Sequence, residues 1–240
     1  MPLTRRNFLA SSASCASLGV FGSAAVAGSL PKRDRIKVAF LLGDGTNVID
    51  LAGPWEVFQD TALGEGWHSR DPFELFTVAP TTDLISMTAG LKVKPTYALD
   101  DAPVPQVIVV PAQRSAKPSL AWLKRTSEQT DVTMSVCTGA FQLARAGLLN
   151  GISATTHHDF WDALAKEFPD VDVKRGVRFV DNGRIATAGG LTSGIDMALH
   201  IVARYFDADT AARTARYMEH ASEAWREGLH ASRPPYWTPL

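Results

Sequence analysis

The sequence predicts a doubly wound α/β domain, a mainly parallel sheet with helices on both faces, and three observations carry that expectation. The runs "IKVAFLL" (36–42) and "QVIVVPA" (106–112) are continuously apolar, and "VTMSV" (132–136) is nearly so, as in strands buried on both faces. Helical patterns alternate with these runs, the signature of parallel strands joined by crossovers. The length, 240 residues of which the first 27 look removable, suits a single domain.

The elements follow in order. The chain opens "MPLTRRNFLASSASCASLGVFGSAAVAG", with Arg5-Arg6 before Asn7, Phe8 and Leu9, and with Ala25-Val26-Ala27 as an A-x-A cleavage site. Serines and glycines break this segment well short of the ~20 apolar residues of a membrane span. Residues 1–27 are therefore expected to be a cleaved twin-arginine signal that sends the chain to the periplasm. Residues 28–35 are read as a linker, 36–222 as the domain and 223–240 as a C-terminal tail, with "ASRPPYWTPL" (231–240) irregular.

After the 36–42 strand, "GDGTNVIDLAGPWEVFQDTAL" gives a Gly-rich turn and then a helix with Val57 and Phe58 inward. "FELFTVAP" (73–80) is a strand, 83–99 short strands and loops, and 106–112 a strand ended by Pro111. "SLAWLKRTSEQ" (119–129) is an amphipathic helix, and the 132–136 strand runs straight into a helix over 138–149. "SATTHH" (153–158) starts a short strand and 159–168 continues as a helix. Residues 177–190 form a hairpin turning at Asn182-Gly183. Helices over 191–206 and 208–225 follow, the first with Thr192 and Ser193 as caps.

Removal of the signal takes away Arg5 and Arg6 and no acid, so the mature charge is (24 − 2) − 25 = −3 with histidines neutral. Such a surface gives no electrostatic footprint for nucleic acid. No long apolar run remains, so stable membrane insertion of the mature chain is not expected. Of the two cysteines, Cys15 leaves with the signal and Cys137 stays. It has no partner for an intramolecular disulfide in an oxidising compartment.

Cys137 sits where strand turns to helix, in "SVCTGAF". Small residues flanking a nucleophile at such a corner follow the logic of a nucleophile elbow, and Gly139 leaves room for the turn. The helix start is expected to favour the thiolate over the thiol. A buried structural thiol would gain nothing from this placement.

The stretch "SVCTGAFQLARAGLLNG…ATTHH", with "NVIDLAGPWEVF" (47–58) and "TAGGLTSGIDMALHIVARYF" (187–206), resembles the ThiJ/PfpI (DJ-one/PfpI) superfamily. It is most similar to the branch holding isonitrile hydratases and the sensor-like domains of AraC-type regulators. The resemblance implies a flavodoxin-like sheet, a homodimer, a small-molecule substrate and no cofactor. It makes Cys137 the nucleophile, Asp50 the acid facing it, Thr138 the residue whose hydroxyl and amide serve the site, and His157 a histidine nearby.

Other readings stand beside these. Asp50 could cap the helix that follows it, and Thr138 could be a helix N-terminal residue. On a strand, His157 and His158 would point to opposite faces, so no metal is expected there. Gly189, Gly190 and Gly194 are read as aids to close helix–strand packing, and Asp196 as a partner for nearby backbone. The family usually carries Pro-Gly-Gly where this chain has Pro111-Ala112-Gln113. Ala112, Gln113 and Gly139 are expected to form the substrate and oxyanion pocket. If the turn needs positive φ, Ala and Gln are disfavoured there, and the Gln113 amide would project into the pocket.

Implied by the resemblance is hydration of a small organic isonitrile to the N-formamide. Other cysteine chemistry of the superfamily (glyoxalase or deglycase, amidase, peptidase) and a thiol- or ligand-sensing domain are the alternatives. Only 240 − 206 = 34 residues follow Phe206, fewer than the DNA-binding module of the regulators is expected to occupy.

Overall fold

The computed structural model describes residues 28–64 and 69–226. The signal segment 1–27 and the end of the tail, 227–240, lie outside the described residues. β1 (Ile36–Leu41) leads into α1 (Val48–Gln59), then β2 (Phe73–Ala79), a two-stranded ribbon of β3 (Ile85–Ser86) and β4 (Lys92–Val93), and β5 (Tyr97–Ala98). β6 (Val107–Val110), α2 (Lys117–Thr126), β7 (Val132–Ser135) and α3 (Ala140–Arg145) come next. β8 (Ser153–Ala154), α4 (Trp161–Glu167), β9 (Asp172–Val173), the hairpin β10 (Phe179–Asp181) and β11 (Ile185–Ala188), α5 (Ser193–Tyr205) and α6 (Ala208–Tyr217) complete the chain.

Among the described residues the central sheet has seven strands in the order β10-β11-β7-β6-β1-β2-β5. Its pairings are parallel except β10 with β11. Alternate residues of one strand enter different cores, which is why the strands read as unbroken apolar runs. Ile36, Val38 and Phe40 join a core with α1, α5 and α6 residues, while Ala39 and Leu41 join a second with α2, α3 and α4 residues. The doubly wound, flavodoxin-like expectation is met. β2 lies on one side of β1 and β6 on the other, so the winding reverses between β1 and β6, where such sheets leave a crevice at the strands' carboxyl ends.

Several boundaries differ from expectation for local reasons. The helix expected over 138–149 is a 3-10 turn at Cys137–Gly139 followed by α3 alone. Gly147 at φ 79° ends it, with Leu148 N–H bonded to the Leu143 carbonyl (2.9 Å), a Schellman closure. α6 stops the same way at Glu219 (φ 54°), with His220 N–H on the Ala215 carbonyl (2.8 Å), instead of running to 225. That exit folds the chain back, so Trp225, which the expected domain boundary places in the C-terminal tail, is buried in the core.

The hairpin turns as expected. Asn182 N–H bonds the Ile185 carbonyl (2.9 Å), and Gly183 takes the positive φ (91°). Thr192 makes no cap bond; its hydroxyl accepts from Arg178.

At the β7-to-α3 corner Gly139 has less room for a side chain than the other glycines described. A Cβ on Gly139 would stand 2.0 Å from the Val110 carbonyl oxygen and 3.0 Å from Pro111 backbone. Those atoms are backbone of a central strand and its exit, and cannot rotate away. Gly139→Ala is expected to destabilise the fold by about 1–3 kcal/mol or more in urea unfolding, since overpacking a filled interior costs that much. A loss below about 0.5 kcal/mol, the scale of an ordinary surface substitution, would show that the corner yields.

Candidate functional site

The site is built from the carboxyl ends of β1, β6 and β7, at the reversal in winding. Val136 continues β7 with its N–H on the Val110 carbonyl (3.0 Å), and Cys137 then turns to φ 58°. A non-glycine residue there costs about 1–2 kcal/mol, so surrounding bonds must hold it. They do: Cys137 N–H donates to the Gly189 carbonyl (2.8 Å), and Thr156 Oγ1 donates to the Cys137 carbonyl (2.8 Å). The elbow expected from "SVCTGAF" is present.

Asp50 enters from the first turn of α1 and is fully buried. It is not the cap. Asn47 is, its side chain accepting from Ile49 N–H (3.2 Å). Asp50 Oδ2 instead accepts from Ala112 N–H (3.1 Å), while Oδ1 is buried without a well-formed hydrogen bond. The remaining polar group bearing on the carboxyl is the Cys137 thiol. Burial raises the Asp50 pKa to about 7, and hydrogen bonds from Ala112 and Cys137 hold back part of the rise.

Cys137 behaves opposite to expectation. Burial first, and the Asp50 charge second, push its pKa up to about 11. Three donors oppose this: the Thr138 and Leu191 backbone amides and the Thr138 hydroxyl. The helix start is too feeble to win, because it is a 3-10 turn before a six-residue α3. Thr138 therefore does more than begin a helix.

Cys137 and Thr138 line a cavity of about 410 Å³ with Ala112, Gln113, Arg114, His157, Phe160 and Leu191. Gly45, Asn47 and Thr88 complete the lining. Gly139 is not at its surface; it serves the packing under Val110. Neither Ala112 nor Gln113 has positive φ, so their departure from Pro-Gly-Gly strains nothing. The Gln113 amide does not reach for a substrate. Its Nε2 donates to the Leu41 carbonyl (2.7 Å), and the Ala112 amide is committed to Asp50.

His157 and His158 do not lie on a strand. They begin a 3-10 turn, and their rings stack with centroids 4.2 Å apart. His157 Nδ1 accepts from Asp159 N–H (3.3 Å), so that nitrogen is unprotonated. Burial and His158 lower the His157 pKa, which keeps the ring neutral with Nε2 as its donor. Gly190 makes room for this ring; a Cβ there would lie 2.3 Å from His157 Cδ2. Gly194 does pack closely as expected, against Val136 and Pro54. His157, His158 and Asp159 bring donor atoms within 4.8 Å of one another and could share a cation. Asp196 bonds side chains rather than backbone: Arg178 Nε (2.7 Å) and His220 Nε2 (3.0 Å).

Sequence reasoning missed Leu191 and Arg114. Nothing in "GGLTSG" announces that Leu191 adopts φ 52° and turns its amide to the sulfur. The Asn47 cap had a signal, an Asn directly before an apolar periodic run.

A cysteine raised on a left-handed corner, at the carboxyl ends of a doubly wound sheet, has the geometry of the elbow class of α/β proteins. The sequence profile of the DJ-1/PfpI family matches residues 36–204, and the chain belongs to that family. It is 32% identical to the isonitrile hydratase of Pseudomonas putida over 195 residues, 78% of this chain and 79% of that protein. It is 28% identical over 177 residues to the HTH-type transcriptional regulator GbdR of Pseudomonas aeruginosa, covering 72% of this chain but 47% of the regulator. The chain thus spans about half of that regulator's length. A ThiJ/PfpI family protein from Pseudomonas syringae has a solved structure that superposes with a TM-score of 0.70 at 25% identity, over 88% of this chain and 83% of that one.

The raised Asp50 pKa has a measurable consequence. A carboxyl moved from 3.8 to about 7 binds its proton more tightly in the folded chain. The resulting stabilisation is full below the unfolded value and is lost as pH rises through about 7. It amounts to roughly 4 kcal/mol at 1.36 kcal/mol per unit. Urea unfolding at pH 5 and pH 8 should show wild type losing much of that difference and Asp50→Asn losing far less. Equal slopes in the two proteins would rule out a buried, raised Asp50.

Proposed function

We propose that this protein hydrates small organic isonitriles to N-formamides, with Cys137 as nucleophile and Asp50 as the group that moves the proton. The observation that carries this reading is the pairing of a buried thiol with a buried carboxyl, beside Thr138 and beneath a cavity of about 410 Å³. The 32% identity to an isonitrile hydratase supports it.

The two pKa values order the steps. Between about 7 and about 11 the resting pair is an Asp50 carboxylate beside a neutral thiol. When the terminal isonitrile carbon arrives, Asp50 takes the thiol proton as the sulfur bonds to that carbon. The carbon's lone pair then accepts the proton from Asp50, leaving a thioimidate, R–N=CH–S–Cys137. Asp50, a carboxylate again, takes a proton from water as its oxygen adds to the carbon; the C=N π pair moves to nitrogen, which takes that proton from Asp50. The hydroxyl oxygen then forms the C=O bond as the C–S bond breaks, its proton passes through Asp50 to the departing sulfur, and R–NH–CHO leaves. The balance is isonitrile plus water to formamide. The Thr138 hydroxyl and the Thr138 and Leu191 amides stabilise charge on sulfur, and Thr138 positions the water. His157, neutral with Nε2 as donor, stands at the cavity wall as a polar contact for substrate.

A sensing role is the second reading, favoured by the match to a transcriptional regulator. A thiol pushed up to about 11 is poorly suited to easy oxidation, so a ligand rather than an oxidant would be sensed. Export by the twin-arginine route, a periplasmic location and assembly as a homodimer belong to the same proposal.

Turnover should follow a bell in pH with limbs near about 7 and about 11, reporting the pair. Cys137→Ser and Asp50→Asn should abolish turnover of a test isonitrile. Thr138→Ala should slow it roughly 10- to 100-fold, the scale of losing one positioned donor. Ligand binding without turnover of any isonitrile would favour the sensor. Separately, residues 1–30 fused to a folded reporter should carry it to the periplasm, and Arg5→Lys with Arg6→Lys should stop it. Undiminished export of that double variant would remove the signal assignment. Light scattering on the mature chain should give twice the protomer mass.

A further inference from the structure

We propose that Arg114 makes the cavity over Cys137 selective for anionic substrates, so that the molecule taken there carries a carboxylate or similar anion at the end away from its reacting carbon. The identity of the reacting group rests on the hydratase reading; the charge preference rests on the cavity alone.

Among the described residues, the lining contains one permanent cation, Arg114, and no carboxylate. Its neutral polar groups are largely occupied. Asn47 Oδ1 accepts from Ile49 N–H, Thr88 Oγ1 from Val48 N–H, and the Gln113 amide donates to the Leu41 carbonyl. His157 is held neutral. A substrate too long to end at the sulfur therefore meets Arg114 as the one permanent charge in the cavity lining.

The arginine is placed rather than merely exposed. Its N–H bonds the Asp44 carbonyl (3.0 Å), which fixes the backbone at the cavity edge. Gly45, at φ 76°, lies under the side chain, and the Cβ it lacks would stand 3.7 Å from Arg114 Cγ and 3.9 Å from Nε. The nearby acids are engaged elsewhere. Asp44 Oδ1 accepts from Ser86 N–H (3.0 Å), Asp159 Oδ1 lies 3.2 Å from His158 Nε2, and Asp50 is buried and committed to Ala112. Arg33, Arg145, Arg175, Arg178 and Arg204 each meet a carboxylate. Arg114 makes no side-chain hydrogen bond or ion pair among the described residues. A planar guanidinium in that state suits a carboxylate or phosphate, which it can grip with two parallel hydrogen bonds.

The test uses two alkylating reagents that differ in charge. Iodoacetate and iodoacetamide both form a C–S bond at Cys137 as iodide leaves with the C–I electron pair, and neither requires isonitrile chemistry. At pH 9.5 the ratio of their rates, iodoacetate over iodoacetamide, is measured for wild type, Arg114→Gln and Arg114→Lys. Arg114→Gln should lower the ratio roughly fivefold or more, as expected for loss of a charge-assisted contact. Arg114→Lys should fall between, and added salt should shrink the wild-type preference. An unchanged ratio in Arg114→Gln would overturn the proposal. So would failure of both reagents to reach native Cys137, since the cavity must connect the arginine to the sulfur.

In parallel, kcat/KM is compared for isocyanoacetate and its methyl ester. A preference for the carboxylate that collapses in Arg114→Gln supports the inference, and an equal preference in both proteins counts against it. Absence of turnover of either compound removes the hydratase reading and leaves the alkylation ratio to decide the charge preference.

Discussion

The left-handed backbone at Cys137 is the constraint on which the rest of the site depends. A φ of 58° is unfavourable for any side-chain-bearing residue, and here it is held by bonds from three directions. Gly189 takes the Cys137 amide, Thr156 holds its carbonyl, and Val110 holds Val136 just before the turn. Gly139 then lets the chain press against the Val110 carbonyl. Each partner comes from a different part of the chain, so the strain is offset by the assembled sheet rather than by local structure.

That corner also fixes the electrostatics. Burial raises both pKa values, the Asp50 charge raises the thiol further, and the Cys137 contact holds back part of the Asp50 rise, so the two acids ionise as a coupled pair. The Ala112 amide holds one oxygen of Asp50 and leaves the other buried without a well-formed hydrogen bond. The sheet therefore supplies a thiol–carboxyl pair that is uncharged at low pH and carries one negative charge above about 7. A thiolate at rest is not what this geometry produces.

Much of this was legible in the sequence because it rests on patterns with a direct physical cause. Strands buried on both faces must be apolar throughout, so β1 and β6 were visible, and the Cys137 corner was visible because small residues must flank it. Asn182-Gly183 marked its turn for the same kind of reason. What could not be read depends on contacts distant in sequence. Whether Cys137 would be lowered by a helix start or raised by burial was decided by the depth of Asp50 and by α3 being only six residues long. His157 and His158 stack because the chain turns at that point, and no spacing rule for strands applies to a turn. Glu219 ended α6 in a conformation usually given to glycine, so composition gave no warning. Asp196 found Arg178, just before β10, and His220, delivered by that same exit from α6.

The cavity walls come from two kinds of structure. The sulfur stands at the end of β7 and its carboxyl in the first turn of α1, both packed on the sheet, whereas Thr88, Arg114, Phe160 and Leu191 sit on connecting segments. Loops tolerate replacement far better than strands buried on both faces. Evolution can therefore rewrite what enters this crevice without disturbing the chemistry beneath it. A lineage built on such a scaffold would diversify by changing its guests while keeping its nucleophile. The same α/β frame can then persist in proteins named as a hydratase and as a transcriptional regulator.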